Sequence, residues 1–113
     1  MPDQNELTLD IEVVADTATV RCAGNLTLGS VSRFRHEVKR LLPHARVITV
    51  DLTSVTMMDS MGLGTLAALY ASARNAGCEL LVVNIGPRIR QMLSLARLLS
   101  LFEAPGEANI RIP

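Results

Sequence analysis

From Ser60 to Ala73 the chain carries no charged side chain, and the run Met61–Ala73 reads Met-Gly-Leu-Gly-Thr-Leu-Ala-Ala-Leu-Tyr-Ala-Ser-Ala. As a helix it is apolar or small around its whole circumference, whereas a helix lying on a sheet buries only one face. The spacing predicts that Leu63, Leu66, Ala67 and Tyr70 pack on a sheet. Thr65, Ala68, Leu69 and Ser72 are then left to be covered, either by flanking helices or by another molecule. Asp59 or Ser60 is placed to open this helix and Gly77 to close it. Gly62 and Gly64 fall in its first turns, where each costs about 1 kcal/mol relative to alanine, so a close backbone approach or tight internal packing should require them.

The rest of the chain supplies the sheet. Leu7–Val14 and Thr17–Ala23 alternate and are rich in β-branched residues, with Asp16 at the turn between them, and read as a hairpin. Ser30–Leu42 sets Val31, Phe34, Val38, Leu41 and Leu42 on one helical face. Arg33, Arg35, His36, Lys39 and Arg40 fill the other, a pattern read as a solvated face. Arg46–Leu52 reads as a buried strand followed by a polar, methionine-bearing connection from Thr53 to Met58, and Cys78–Ile85 as another strand. Gly86-Pro87 opens a third helix with the stripe Ile89, Met92, Leu93 and Ala96, and Ile110–Ile112 supplies an edge strand. Strand and helix alternate after the hairpin. The expected class is α/β, on the border of α+β: a small mixed sheet with helices packed on it. At 113 residues it is one domain, residues 1–113, since a single core usually takes about 100–150 residues.

Composition narrows the function. Hydrophobic residues make up 49% of the chain and charged ones 19%, which excludes a disordered tail. Eleven basic and eleven acidic side chains cancel, and the aromatics are two Phe and one Tyr, so nucleic acid is not an expected partner. No charge-free run reaches the roughly 20 residues a membrane span needs, so no direct membrane insertion is expected. Asp3, Glu6, Asp10, Glu12 and Asp16 are the opposite of a secretory leader, which points to the cytoplasm. Cys22 and Cys78 lie in apolar strand-like runs and read as buried free thiols, and with only His36 and His44 besides, neither a metal nor a cofactor is expected.

Two catalytic motifs fall away. Met58-Asp59-Ser60-Met61-Gly62 lacks the first glycine of a nucleophile elbow, and neither histidine is placed to serve as a base. Gly62-Leu63-Gly64-Thr65-Leu66-Ala67 satisfies a dinucleotide fingerprint formally, but it does not follow its strand directly. Ser60 retains one chemistry: at a helix start, a phosphate on its hydroxyl could be received by free backbone N–H groups without unfolding the helix. The alternative is a plain cap by Asp59 or Ser60.

The stretch from Val50 to Gly64, centred on Met57-Met58-Asp59-Ser60-Met61-Gly62-Leu63-Gly64, resembles the core motif of STAS domains, particularly bacterial anti-sigma-factor antagonists. The order of elements matches over nearly the whole chain. The resemblance implies a non-enzymatic module whose serine after the motif aspartate, here Ser60, is phosphorylated by an anti-sigma factor that is also a serine kinase. The unmodified form binds that partner and frees the sigma factor, the phosphorylated form releases it, and a phosphatase resets the cycle. Partner contacts are then expected at Asp59, Met61, Gly62, Gly64 and Thr65, with Asn25 and Thr27 in the turn after the second strand. Family members usually carry an acidic pair in that turn, and Gly24-Asn25-Leu26-Thr27 has none; Arg97 takes the place of their usual glycine late in the third helix. These departures leave a second implication: a STAS subunit docked on a lipid-transport ATPase, or part of a stress-signalling scaffold, with Ser60 unmodified. A weak homodimer is compatible with either.

Overall fold

The computed structural model describes residues 6–97 and the backbone of 110–112. Five strands, β1 (Leu7–Val14), β2 (Thr17–Leu26), β3 (Val47–Met58), β4 (Glu79–Val83) and β5 (Ile110–Ile112), form one sheet in the order β1-β2-β3-β4-β5. The outer pairs are antiparallel, and β3 runs parallel to both β2 and β4. The parallel centre is made by crossovers through α1 (Val31–Leu41) and α2 (Ser60–Asn75), and α3 (Pro87–Leu95) follows β4. The mixed α/β sheet expected from the element order is the one observed.

Alternation along the strands decides where the core lies. Ala18, Val20 and Cys22 of β2, Ile48, Val50 and Leu52 of β3, and Leu80 and Val82 of β4 are buried. They join Phe34 and Val38 of α1, Leu66 and Leu69 of α2, and Ile89 and Leu93 of α3 in a single cluster. Both cysteines are buried free thiols, and burial, reinforced by the Asp51 charge, pushes Cys22 up to about 12. On α1, Arg33 reaches back to donate to the Leu7 carbonyl at 2.6 Å, so one member of the basic face ties the helix to the edge strand.

Three local readings are corrected. The Thr53–Met58 segment is no connection but the second half of β3, which pairs with the end of β2 as far as Leu26↔Met58 through two register shifts. Bulges of this kind insert a residue and re-aim side chains, which is why the alternation broke off at Leu52 in sequence while the strand continued. The expected strand at Cys78–Ile85 is shorter, Glu79–Val83, because Asn84 adopts a positive φ of 58°. In α3 Ile89 and Leu93 are buried as expected, whereas Ala96 lies past the helix end and is exposed.

The buried stripe of α2 is also rotated from the expected one. Gly62, Thr65, Leu66, Leu69 and Ala73 point inward, and Leu63, Ala67 and Tyr70 are half-buried. Of the residues left to be covered by flanking helices or by another molecule, Thr65 and Leu69 are covered by the chain itself, whereas Ala68 is exposed. The helix α2 packs against α1 as well as against β3 and β4 of the sheet, so more than one of its faces is covered. Gly62 sets the rotation: a Cβ there would run into the Leu26 carbonyl oxygen at the end of β2, so only glycine lets the helix start that close to the strand. Gly64 has open space around it, and no internal packing requires it.

Candidate functional site

The C-terminal ends of β2 and β3 deliver two turns to the same place: residues 27–30, leading into α1, and Asp59, leading into α2. The first turn is knotted by Ser30, whose hydroxyl donates to the Asn25 carbonyl at 2.7 Å and accepts from the Thr27 N–H at 3.1 Å. The second is organised by Asp59. Its backbone is extended, as an N-cap requires, and its Oδ1 accepts the N–H groups of Met61 and Gly62, each at 3.0 Å. Its Oδ2 accepts the N–H of Leu28 at 3.0 Å, so one carboxylate caps α2 and holds the neighbouring turn. Burial works to raise the Asp59 carboxyl, but the N–H bonds from Gly62, Leu28 and Met61 outweigh it and hold the group below the ordinary carboxylate value.

Ser60 is the first residue of α2 and is exposed. The reception of a phosphate by free N–H groups, expected above, is corrected: the amides of Met61 and Gly62 are taken by the Asp59 side chain, and that of Leu63 by the Asp59 carbonyl at 3.0 Å. A phosphate on Ser60 would therefore stand at the surface beside an existing negative charge. It would add about two more charges there without disturbing the core.

The other residues singled out in the sequence separate into two groups. Met61 and Gly64 are exposed, and Asp59 and Asn25 are half-buried. Gly62, Thr65 and Thr27 are buried, so their part at this site is to shape it from within. Thr65 Oγ1 donates to the Met61 carbonyl at 2.7 Å, inside the helix. Asn25 turns its side chain along the sheet, where Oδ1 accepts from Thr56 Oγ1 at 3.1 Å.

Sequence reasoning missed Leu28 and drew nothing from Met57. Both are large exposed apolar groups, 67% and 56% accessible, and Met61 is 46% accessible. The three come from different elements whose backbones meet at the Asp59–Ser60 junction: Leu28 donates its N–H to Asp59, and Met57 and Met61 lie in the chain on either side. The outer line of α2, Ser60, Gly64, Ala68 and Ala71, is exposed and uncharged, and continues this patch along the helix. The signal for Leu28 was an apolar residue inside a turn, which carries no periodicity to mark it.

This fold and junction define a class. The STAS-domain family model matches residues 8–111, and the chain belongs to that family. Among solved structures it is similar to an anti-sigma factor antagonist from Mycobacterium paratuberculosis, at 20% identity and a TM-score of 0.79 over 96% of this chain and 92% of that one. It is also similar to the Bacillus cell fate determinant SpoIIAA in its phosphorylated form, at 19% identity and a TM-score of 0.68, covering 80% and 85%. A sulfate transporter family protein from Wolinella succinogenes matches at 17% identity and a TM-score of 0.69, covering 79% and 73%. At these identities the likeness is one of fold. No helix among the described residues is long and apolar enough to cross a membrane.

Proposed function

We propose that this chain is an anti-sigma-factor antagonist acting in the cytoplasm as a phospho-switched binding module, with Ser60 as the phosphoacceptor. The observation that carries the reading is the exposure of Ser60 at the head of α2, beside Asp59, with the exposed apolar residues Met57 and Met61 close to it in the chain and the exposed Leu28 held to Asp59 by its N–H. In the unmodified state a serine-kinase anti-sigma factor covers this patch and the uncharged outer line of α2, which frees its sigma factor. Phosphorylation places about two charges next to Asp59, whose carboxylate and carbonyl already take the N–H groups of Met61, Gly62 and Leu63, and docking then requires their desolvation. A phosphatase restores the neutral surface. The chain is the substrate in this cycle and catalyses no step of it.

A second reading is favoured by one specific feature. The turn from Asn25 to Ser30 carries no carboxylate, and Asn25 is engaged with Thr56, so this side of the patch offers a partner apolar contact in place of acidic contact. A STAS subunit seated on a transport ATPase would use the same patch with Ser60 unmodified. Incubation with the kinase-type anti-sigma factor and labelled ATP separates the two: label mapped to Ser60 supports the switch, and a partner that binds without labelling Ser60 supports the subunit.

A further inference from the structure

A groove of about 550 Å³ opens between the end of β3, the β3–α2 junction and the first turns of α3. Its volume is within the roughly 300–1,000 Å³ that small-molecule sites occupy. The floor is apolar: Met58 and Ile89 are each 6% exposed, and Val55 and Met92 are half-buried. The two sides differ in charge. On the α3 side stands Arg88, exposed and without an ion pair among the described residues. It sits in a helix start that has Pro87 at its first position, no side-chain cap and no acid in its first turn. On the other side the Asp59 carboxylate already accepts three N–H groups.

The geometry points to a binding site for a small anionic amphiphile, a carboxylate or phosphate head on an alkyl chain. Charge complementarity fixes its direction: the head lies against the Arg88 guanidinium and the positive end of α3, away from Asp59, and the chain lies over Met58, Ile89 and Met92. Unbranched thioethers suit an alkyl chain of variable length, because they adapt their rotamers to what they cover. The inference does not rest on the phosphorylation of Ser60, although the groove shares Asp59 with that site.

The test is titration of the full chain, labelled with 13C at the methionine methyls, with dodecanoate and with dodecyl phosphate below their micellar concentrations. Saturable shifts of Met58 and Met92 with either probe are expected, and agreement or difference between the probes identifies the preferred head. Dodecyltrimethylammonium should bind weaker by about tenfold or more, as should dodecanoate to an Arg88→Ala protein, since a charge-assisted contact is lost in both cases. Arg74→Ala, on the far part of α2, should leave the affinity unchanged. The proposal is overturned by unshifted Met58 and Met92, by equal binding of the cationic amphiphile, or by an Arg88→Ala affinity equal to wild type. Shifts that appear on raising protein concentration alone would assign the groove to a second copy. Equally tight binding of N-acetyl-Leu-Phe-amide would make it a socket for a protein side chain. Either result contradicts the amphiphile.

Discussion

Asp59 and Leu28 are joined by a 3.0 Å hydrogen bond from the Leu28 N–H to Oδ2, while the other oxygen of the same carboxylate caps α2. One side chain therefore sets both the start of the helix and the turn that presents the exposed Leu28 beside Ser60. Replacement of Asp59 by alanine removes the cap and the turn's acceptor together. A loss of about 1–2 kcal/mol in a urea titration is expected, with Asp59→Asn intermediate because an amide oxygen can still cap.

The two glycines of α2 should respond in opposite directions. Gly62→Ala forces a methyl into the Leu26 carbonyl and should cost about 2–3 kcal/mol through displacement of the helix from β2. Gly64→Ala meets open space and should gain about 0.5–1 kcal/mol from helix propensity. Denaturation midpoints of the two variants with unchanged m-values would establish the pair.

The turn between β1 and β2 contains a strain that glycine relieves. Ala15 has φ 55°, at the first central position of a two-residue turn between Val14 and Thr17. Ala15→Gly should raise stability by about 0.5–1 kcal/mol, the left-handed penalty exceeding the extra entropy of the unfolded chain. Thermal melts at matched concentration measure it.

Acid should destabilise the fold through two carboxylates held below their ordinary value. For Asp51, burial works to raise the carboxyl, and bonds from Thr53 and Asn84 more than offset it; for Asp59 the N–H bonds do the same. A depressed folded value means that the stabilisation is complete above the unfolded carboxylate value of about 4 and is lost as pH falls through the folded one. The unfolding midpoint should therefore be flat from neutral pH to about 5 and drop below 4. Asp51→Asn and Asp59→Asn should each make that drop shallower.

How much of this was legible follows from periodicity. The hairpin, α1, the first half of β3 and the end of α2 were readable because their patterns of period 2 or 3.6, and the glycine after Ala76, are local signals. The second half of β3 was not, since two bulges break the alternation and pairing with β2 is a long-range event. The rotation of α2 was hidden for a different reason. A helix apolar all round has no moment to choose a face, and the choice was made by the fit of Gly62 against Leu26. At the site, Asp59 and Ser60 were readable from the motif, whereas the convergence of Leu28 and Met57 on them depends on two strand ends that are distant in sequence.

The most direct test of the switch compares two variants in one titration. Ser60→Ala and Ser60→Asp are both expected to fold, since the side chain is exposed and the cap belongs to Asp59. Calorimetric titration with the serine-kinase anti-sigma factor should give Ser60→Ala a wild-type affinity. Ser60→Asp should be weaker by about tenfold or more, because its charge must be desolvated within an apolar contact. Equal affinities for the two variants would contradict the account.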